Sequence, residues 1–180
     1  MNETIHTLKT RRSVRNFSDK PVDRALIEQI IDAGIWAPSG MGKQAPIVLA
    51  ITNKELRDRL STMNADIMRS AGRGPADQFD PFYGGPVVLV VLADKTVPTY
   101  VYDGALVMGN LMNAAASLGV DSIWIHRAKE EFATEEGKAI LAAAGIEGEY
   151  EGVGHCIVGY PDGPAPEPKP RAEGRVFWVE

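Results

Sequence analysis

Three guanidinium groups, with the Ser13 hydroxyl between them, crowd into the run Thr10-Arg11-Arg12-Ser13-Val14-Arg15. Arginine is permanently charged and carries a planar fork of donors, so such a cluster suits bidentate gripping of a phosphate. Taken alone, a short basic run reads more readily as a solvated turn. The far end of the chain shifts that balance, because Lys169 and Arg171 stand in a proline-rich segment with no evident packing role. If the fold brings the two ends together, Arg11, Arg12, Arg15, Lys169 and Arg171 can ring one anionic group. The middle of the chain must then supply a site for whatever carries that anion.

A second candidate is the run from Trp36 to Pro46, which includes Pro38, Ser39, Gly40, Met41, Gly42 and Gln44. A glycine-bearing loop of this kind lets a flat ligand approach the backbone closely. An ordinary helix-to-strand connection fits the same residues equally well. No Gly-Lys-Ser/Thr follows a strand, so it is not a phosphate loop of the nucleotide-binding type. His6, His126 and His155 are scattered without metal-ligand spacing, and no metal site is expected. The single cysteine, Cys156, excludes an internal disulfide and a cysteine-ligated iron–sulfur cluster within one chain. It lies in the apolar run from Val153 to Val158 and reads as a buried, unreactive thiol.

The elements that must position these residues come from one domain of ordinary size, spanning residues 1–180, or one protomer of an intimate oligomer. Hydrophobic residues at 44% suffice for a real core, and charged residues at 24% mark a soluble globular composition. The net charge of −5 argues against nucleic acid as a partner, since that needs a basic face. The arginine cluster is therefore a local exception, which favours a small anionic ligand. The longest apolar run, Val87 to Ala93, is far too short to cross a membrane. Arg11-Arg12 lacks the following apolar stretch of an export signal, because Arg15-Asn16-Phe17-Ser18-Asp19-Lys20 comes instead. A cytoplasmic location is expected.

Ile5 and Leu8 predict a short helix ending at the arginine cluster. Asp23 is a good N-cap for a helix through about Ala33, closed by Gly34. A strand runs from Ile47 to Ile51. Thr52 and Glu55 then read as a capping box for a helix whose inner face carries Leu56, Leu60, Met63 and Ile67. The stretch from Ala71 to Pro86 is irregular, and Phe79, Phe82 and Tyr83 could wall a pocket there. Val87 to Leu92 is apolar on both faces and should be a central strand. The helix from Tyr100 to Leu118 is apolar nearly all round, as for a buried helix or one at a subunit interface. Asp121 to Ile125 reads as a strand delivering His126 and Arg127, Thr134 caps a helix ending at Gly145, and Val153 to Gly159 is another strand. The prolines from Pro161 to Pro170 enforce an extended path. Arg175 to Val179 alternates as a last strand, suited to a sheet edge of another subunit or of its own chain.

With these residues in view, the chain resembles the FMN-dependent nitroreductase family from about Thr4 to Arg171. Three signals carry the resemblance: Arg11-Arg12-Ser13-Val14-Arg15 with Phe17, Ala37-Pro38-Ser39-Gly40 with Gln44 before a strand, and Gly159-Tyr160-Pro161 followed by Lys169 and Arg171. The run Trp124-Ile125-His126-Arg127-Ala128-Lys129-Glu130-Glu131-Phe132 resembles a compact branch of the family. The resemblance implies an α+β fold with helices around a mixed, mainly antiparallel sheet. It also implies an intertwined homodimer with two flavin sites at its interface. On this carry-over, Arg11, Ser13, Lys169 and Arg171 hold the FMN phosphate, Arg12 supports it, and Arg15 lies near the pyrimidine side of the ring. Pro38, Ser39, Gly40 and Met41 come from the other subunit against the isoalloxazine. Asn64 contacts the ribityl chain or ring, and a backbone N–H within Ile125-His126-Arg127 faces flavin N5. Two departures matter: Gly42 and Ala45-Pro46 replace an Asn and a Pro-Trp common in the family, and the Pro-x-Glu-Gly segment of larger members is absent.

The implied chemistry belongs to the flavin, with no catalytic side chain, and the protein supplies binding, orientation and charge. Hydride passes from NADH or NADPH to flavin N5 and on to a small organic oxidant, such as a nitroaromatic or quinone, in ping-pong order. Arg15 acts as an electrostatic tuner of the reduced anion. Two alternatives stand beside this one. The same fold can serve reductive dehalogenation, enoyl reduction or flavin breakdown, or persist as a non-catalytic flavin or phosphometabolite sensor.

Overall fold

The computed structural model describes residues 1–73 and 79–180. Its centre is strand β2 (Val87–Asp94), whose residues from Val87 to Ala93 are all buried. A strand with no solvent face needs a neighbour on each edge and a layer on each side. The neighbours are β1 (Pro46–Ile51) and β4 (Tyr150–Gly159), and β3 (Asp121–Ile125) pairs with the far edge of β4. All three strand pairings are antiparallel, with a bulge between Val91 and Leu92. Among the described residues the one parallel pairing is the isolated bridge between Ser13 and Ser122.

Side chains alternate across a strand, and β2 divides the core accordingly. Val87, Leu89 and Val91 face α2 (Arg24–Ile35) and α4 (Tyr100–Ser117), where Ile27, Ile30, Val107, Met108 and Leu111 pack. Val88, Val90 and Leu92 face α3 (Lys54–Ser70), α5 (Ala128–Ala133) and α6 (Glu135–Ala143), with Leu60, Phe132 and Leu141. The remaining helix, α1 (Glu3–Thr10), buries no residue and serves to deliver the arginine segment.

Four local expectations are corrected. Gly34 does not close α2 but lies buried in its last turn, because the helix runs on to Ile35 and is capped by Trp36. A Cβ on Gly34 would meet Leu111 Cδ2 at 2.4 Å, so this glycine permits close approach of α4. The N-cap of α3 is Asn53, whose side chain accepts from Leu56 N at 2.9 Å, in place of the Thr52/Glu55 box. Phe82 is buried against His155, with ring centroids 5.1 Å apart, so it anchors the core instead of walling a pocket. Of that irregular stretch, Gly74 and Pro75 lie outside the described residues. Arg175 to Val179 forms no strand within this chain, and Phe177 and Trp178 are each 85% exposed. Alternation prepares a segment for pairing but does not choose its edge, and among the described residues the outer edge of β1 is left open.

Two elements differ in extent. Helix α5 was not legible, and β4 begins at Tyr150, three residues before Val153. Among the described residues no helix is long and apolar enough to cross a membrane, and no cluster of His, Cys, Asp and Glu could hold a metal ion.

Gly34→Ala is expected to lower stability by about 1–3 kcal/mol, the usual range for overpacking, because Leu111 is sealed and cannot swing away. Denaturant unfolding of the two proteins checks this. Burial pushes the Cys156 thiol up to about 12, against smaller opposing effects of Ser122 and Arg11. The native protein should therefore resist a thiol reagent at pH 8 and react once unfolded.

Candidate functional site

Helix α1 ends at Thr10, where Arg11 N–H donates to Thr7 O at 2.9 Å. From there the chain runs extended beside β3. Val14 N–H donates to Ser122 O at 3.2 Å, and Ser18 N–H donates to Tyr160 O at 2.9 Å. Val14 and Phe17 are buried and hold the segment down, which leaves Arg15 exposed and Arg11, Arg12 and Ser13 half-buried.

The three arginines have different duties. Arg12 donates from Nη1 to the carbonyls of Lys9 at 2.9 Å and Arg11 at 2.8 Å, so it caps the C-terminal turn of α1. Arg11 Nη1 is buried and has no hydrogen-bond partner. Asp121 lies within its electrostatic reach: burial raises the carboxyl above its usual range and the Arg11 charge partly offsets this. Arg15 reaches only Ser13 O, at 3.5 Å, and its head is otherwise unengaged among the described residues.

The loop after α2 is tightly specified. Gly42 N–H donates to Ser39 O and Lys43 N–H to Gly40 O, each at 3.1 Å, and Gln44 N–H donates to Ser39 Oγ at 2.9 Å. Buried Asp103 on α4 accepts from Gly40 N at 3.0 Å and from Thr99 Oγ1 at 2.9 Å. A Cβ on Gly40 would lie 2.2 Å from Thr99 Oγ1, so glycine is required at this approach. Met41 and Gln44 are non-glycine residues with φ of 54° and 50°. Left-handed backbone of this kind costs about 1–2 kcal/mol per residue and persists where surrounding bonds over-determine it. A cleft of about 700 Å³ opens beside the loop, lined by Trp36, Pro38, Ser39, Gln44 and Ile47 among others.

The end of β3 is held by a polar cluster that the sequence did not single out, apart from Asn64. Asn64, Glu131 and His155 are all fully buried, so the Asn64 amide, expected to contact a ribityl chain or ring, is turned into the core and bonded there instead. The Asn64 amide donates to His126 O at 2.9 Å and to Glu131 Oε1, and its Oδ1 accepts from Arg127 Nε at 2.9 Å. His155 Nδ1 lies 3.3 Å from Ile125 O, and Nε2 is 2.9 Å from Glu131 Oε2, close but off the angle of a good hydrogen bond. Arg127 has φ of 80°, another strained non-glycine position. One signal was available in the sequence: a histidine inside an apolar strand must find a polar partner, since an unpaired buried group is costly. Glu131 gave none, because α5, the helix that turns it inward, was unrecognised.

The structure brings Arg11, Arg12, Ser13 and Arg15 alongside the strand that ends at Ile125, His126 and Arg127. Pro161 and Asp162 join them through the Phe17–Pro161 bridge and the bond from Asp162 N to Asn16 O at 3.0 Å. Beyond that point the tail is exposed, and Lys169 and Arg171 make no hydrogen bond or ion pair with the arginine segment. Nor does any hydrogen bond among the described residues join the loop from Pro38 to Met41 to that segment. A second cleft of about 400 Å³ near α6 contains Lys95, Lys129 and Lys138, but each already has a carboxylate partner within 3.1 Å.

Asp103→Ala should leave the Gly40 N–H and the Thr99 hydroxyl without their acceptor. We expect a loss of about 1–3 kcal/mol and faster amide exchange at Gly40, read by denaturant unfolding and hydrogen exchange.

The Nitroreductase family is matched over residues 8–160. A nitroreductase with bound FMN from Bacteroides fragilis superposes with a TM-score of 0.90 at 27% identity, each chain covered completely. The NADPH-flavin oxidoreductase of Vibrio harveyi is 28% identical over 98% of this chain and 72% of its own length. The FMN reductase of Bacillus subtilis is 27% identical over 68% of this chain, and that match spans 53% of the relative. This chain thus spans about half the length of some curated relatives. A family match over most of the chain, with the arginine segment and the strand beside it inside the matched range, leads to one conclusion: the chain belongs to the nitroreductase family.

Proposed function

We propose that this protein is an FMN-dependent oxidoreductase that takes hydride from NADH or NADPH and passes it to a small organic oxidant in ping-pong order. The observation that carries the reading is Arg11, whose buried Nη1 has no protein partner. A half-buried cation with an unmet donor is costly unless an anion completes it, and a phosphate fits that requirement. The spacing supports the same ligand. From Ser122, level with Ser13, to His126 the chain advances about 13 Å at the rise of an extended strand. That length suits a phosphate at one end and a ring system at the other.

In this reading Arg11 and Ser13 hold the phosphate, with Lys169 and Arg171 brought to it by the tail. Arg12 supports them by fixing the end of α1. Bound flavin supplies the two-electron chemistry and gains negative charge on its pyrimidine side when reduced. Arg15, whose guanidinium is engaged only by Ser13 O at 3.5 Å, would stand on the side where that charge develops and stabilise it, and such preorganised charge is often the largest protein contribution. Pro38, Ser39, Gly40 and Met41 cover the ring from a second subunit, which accords with their having no bond to the arginine segment of their own chain.

Residues 1–180 act as a single cytoplasmic domain, and the working form is a homodimer. Trp36 is 79% exposed and Tyr102 74%, with Ile35, Val101 and Leu106 beside them in sequence and also exposed. A face of this composition resembles an obligate interface. Phe177, Trp178 and Val179 then pair with the partner's sheet edge.

The purified protein is expected to be yellow, to release FMN and no FAD, and to bleach on anaerobic addition of NADH or NADPH. Bound flavin that never bleaches would instead mark a sensor. Arg11→Ala should weaken FMN binding by roughly 1.5–3 kcal/mol, on the order of tenfold to a hundredfold. Arg15→Ala should lower the reduction potential and slow reduction even at saturating FMN. Titration of the FMN-free variants and potentiometry of the loaded ones check both halves. If neither affinity nor potential moves, the arginine cluster is only a solvated turn and the proposal fails.

A further inference from the structure

We infer that Asn64, Glu131 and His155 are positioning residues that clamp the β3–α5 junction so that the N–H groups of His126 and Arg127 face the bound flavin; this rests on the FMN reading above. A trans peptide points its carbonyl and the following N–H in opposite directions. The Ile125 carbonyl is held toward the core by His155 Nδ1 at 3.3 Å, and the His126 carbonyl by Asn64 Nδ2 at 2.9 Å. Both anchors are fully buried. The N–H groups of His126 and Arg127 therefore point away from the core, and among the described residues neither has an acceptor. Two consecutive outward donors at a strand end suit an electron-rich ring edge carrying a carbonyl and a ring nitrogen.

The third member makes the clamp hold. Asn64 can donate to His126 O and accept from Arg127 Nε only while its amide keeps one orientation, and the bond to Glu131 Oε1 sets that orientation. Glu131 in turn faces His155 with its other oxygen, 2.9 Å from Nε2. Because Nδ1 faces a carbonyl it carries a proton, and Nε2 faces Oε2 across the cluster. The cluster thus joins α3, α5 and β4 to a junction whose Arg127 stands at φ of 80°. Left without it, Arg127 would relax toward negative φ and turn its N–H aside. Glu131 has no exposed surface, so it acts on the flavin only through this junction.

The test compares Glu131→Leu, Glu131→Gln and, as a control of general destabilisation, Leu141→Ala. Leucine fills the space without bonding, whereas glutamine accepts from Asn64 and donates to His155 Nε2. In the full chain freed of FMN, Glu131→Leu is expected to speed amide exchange across residues 125–128 by tenfold or more. After FMN is added, it should raise the dissociation constant at least tenfold and shift the visible flavin bands. Glu131→Gln should keep parent exchange, affinity and spectrum, and Leu141→Ala should keep them too where it remains folded. Unchanged exchange in Glu131→Leu overturns the clamp. Faster exchange with parent affinity and spectrum overturns its link to the flavin. Should the parent bind no FMN, the functional reading falls, while the exchange arm still decides whether the clamp exists. If Glu131→Leu does not fold, Asn64→Ala takes its place under the same criteria.

Discussion

The structure turns on the burial of β2 on both faces. Seven consecutive residues from Val87 to Ala93 leave no side for water, so helices must cover the sheet above and below. That requirement accounts for α2 and α4 on one side and α3, α5 and α6 on the other, each offering an apolar face to alternate residues of β2. It also determines where a ligand can go. With both faces of the sheet filled, the open positions are its edges and the loops at strand ends. The β3 edge is the one lined by the arginine segment, and the anchors Val14 and Phe17 are what keep that segment there.

Backbone strain marks the same places. Of the four non-glycine residues at positive φ among the described residues, Met41, Gln44 and Arg127 lie in the two loops that carry candidate site residues, and Tyr83 is the fourth. Strain of this kind persists only under constraint, and each loop has a buried polar residue supplying it. Asp103 holds Gly40, and the cluster of Asn64, Glu131 and His155 holds the end of β3. Both devices place polar groups inside an apolar core, where each is tolerable because nearly every bond is answered. The exceptions are informative. Arg11 Nη1 lacks a partner at the segment that carries the candidate phosphate site, and Glu131 Oε2 and His155 Nε2 approach to 2.9 Å without forming an aligned bond.

Local pattern was enough to read most elements, because the signals are local in origin. Period-2 and period-3.6 burial, the Asp23 and Thr134 caps and the break at Gly145 depend on neighbours within a few residues. The arginine run, the Pro38–Met41 loop and the end of β3 were legible as candidates for the same reason. The readings that failed depended on partners distant in the chain. Gly34 looked like a helix stop, but its role is defined by Leu111 across a helix contact. Phe82 looked like a pocket wall until His155 and the core received it. Arg175 to Val179 alternates as a strand should, yet it pairs with no strand of its own chain, because alternation does not encode which edge a strand meets.

By itself, then, the sequence determined the kind of chain this is: helices and strands around one sealed apolar strand, with a phosphate-suited cation cluster near its start. Those properties follow from residue type and spacing, which folding does not alter. Tertiary structure decided how the arginines divide their duties, since only the end of α1 could engage Arg12 and only burial beside β3 could leave Arg11 unpartnered. It also decided that Asn64, Glu131 and His155 meet. They come from α3, α5 and β4, and no local spacing encodes the pairing of groups 67 and 24 residues apart. Their meeting is a consequence of packing two helices against one sheet, where a buried carboxylate, amide and imidazole must find one another or remain unpaired.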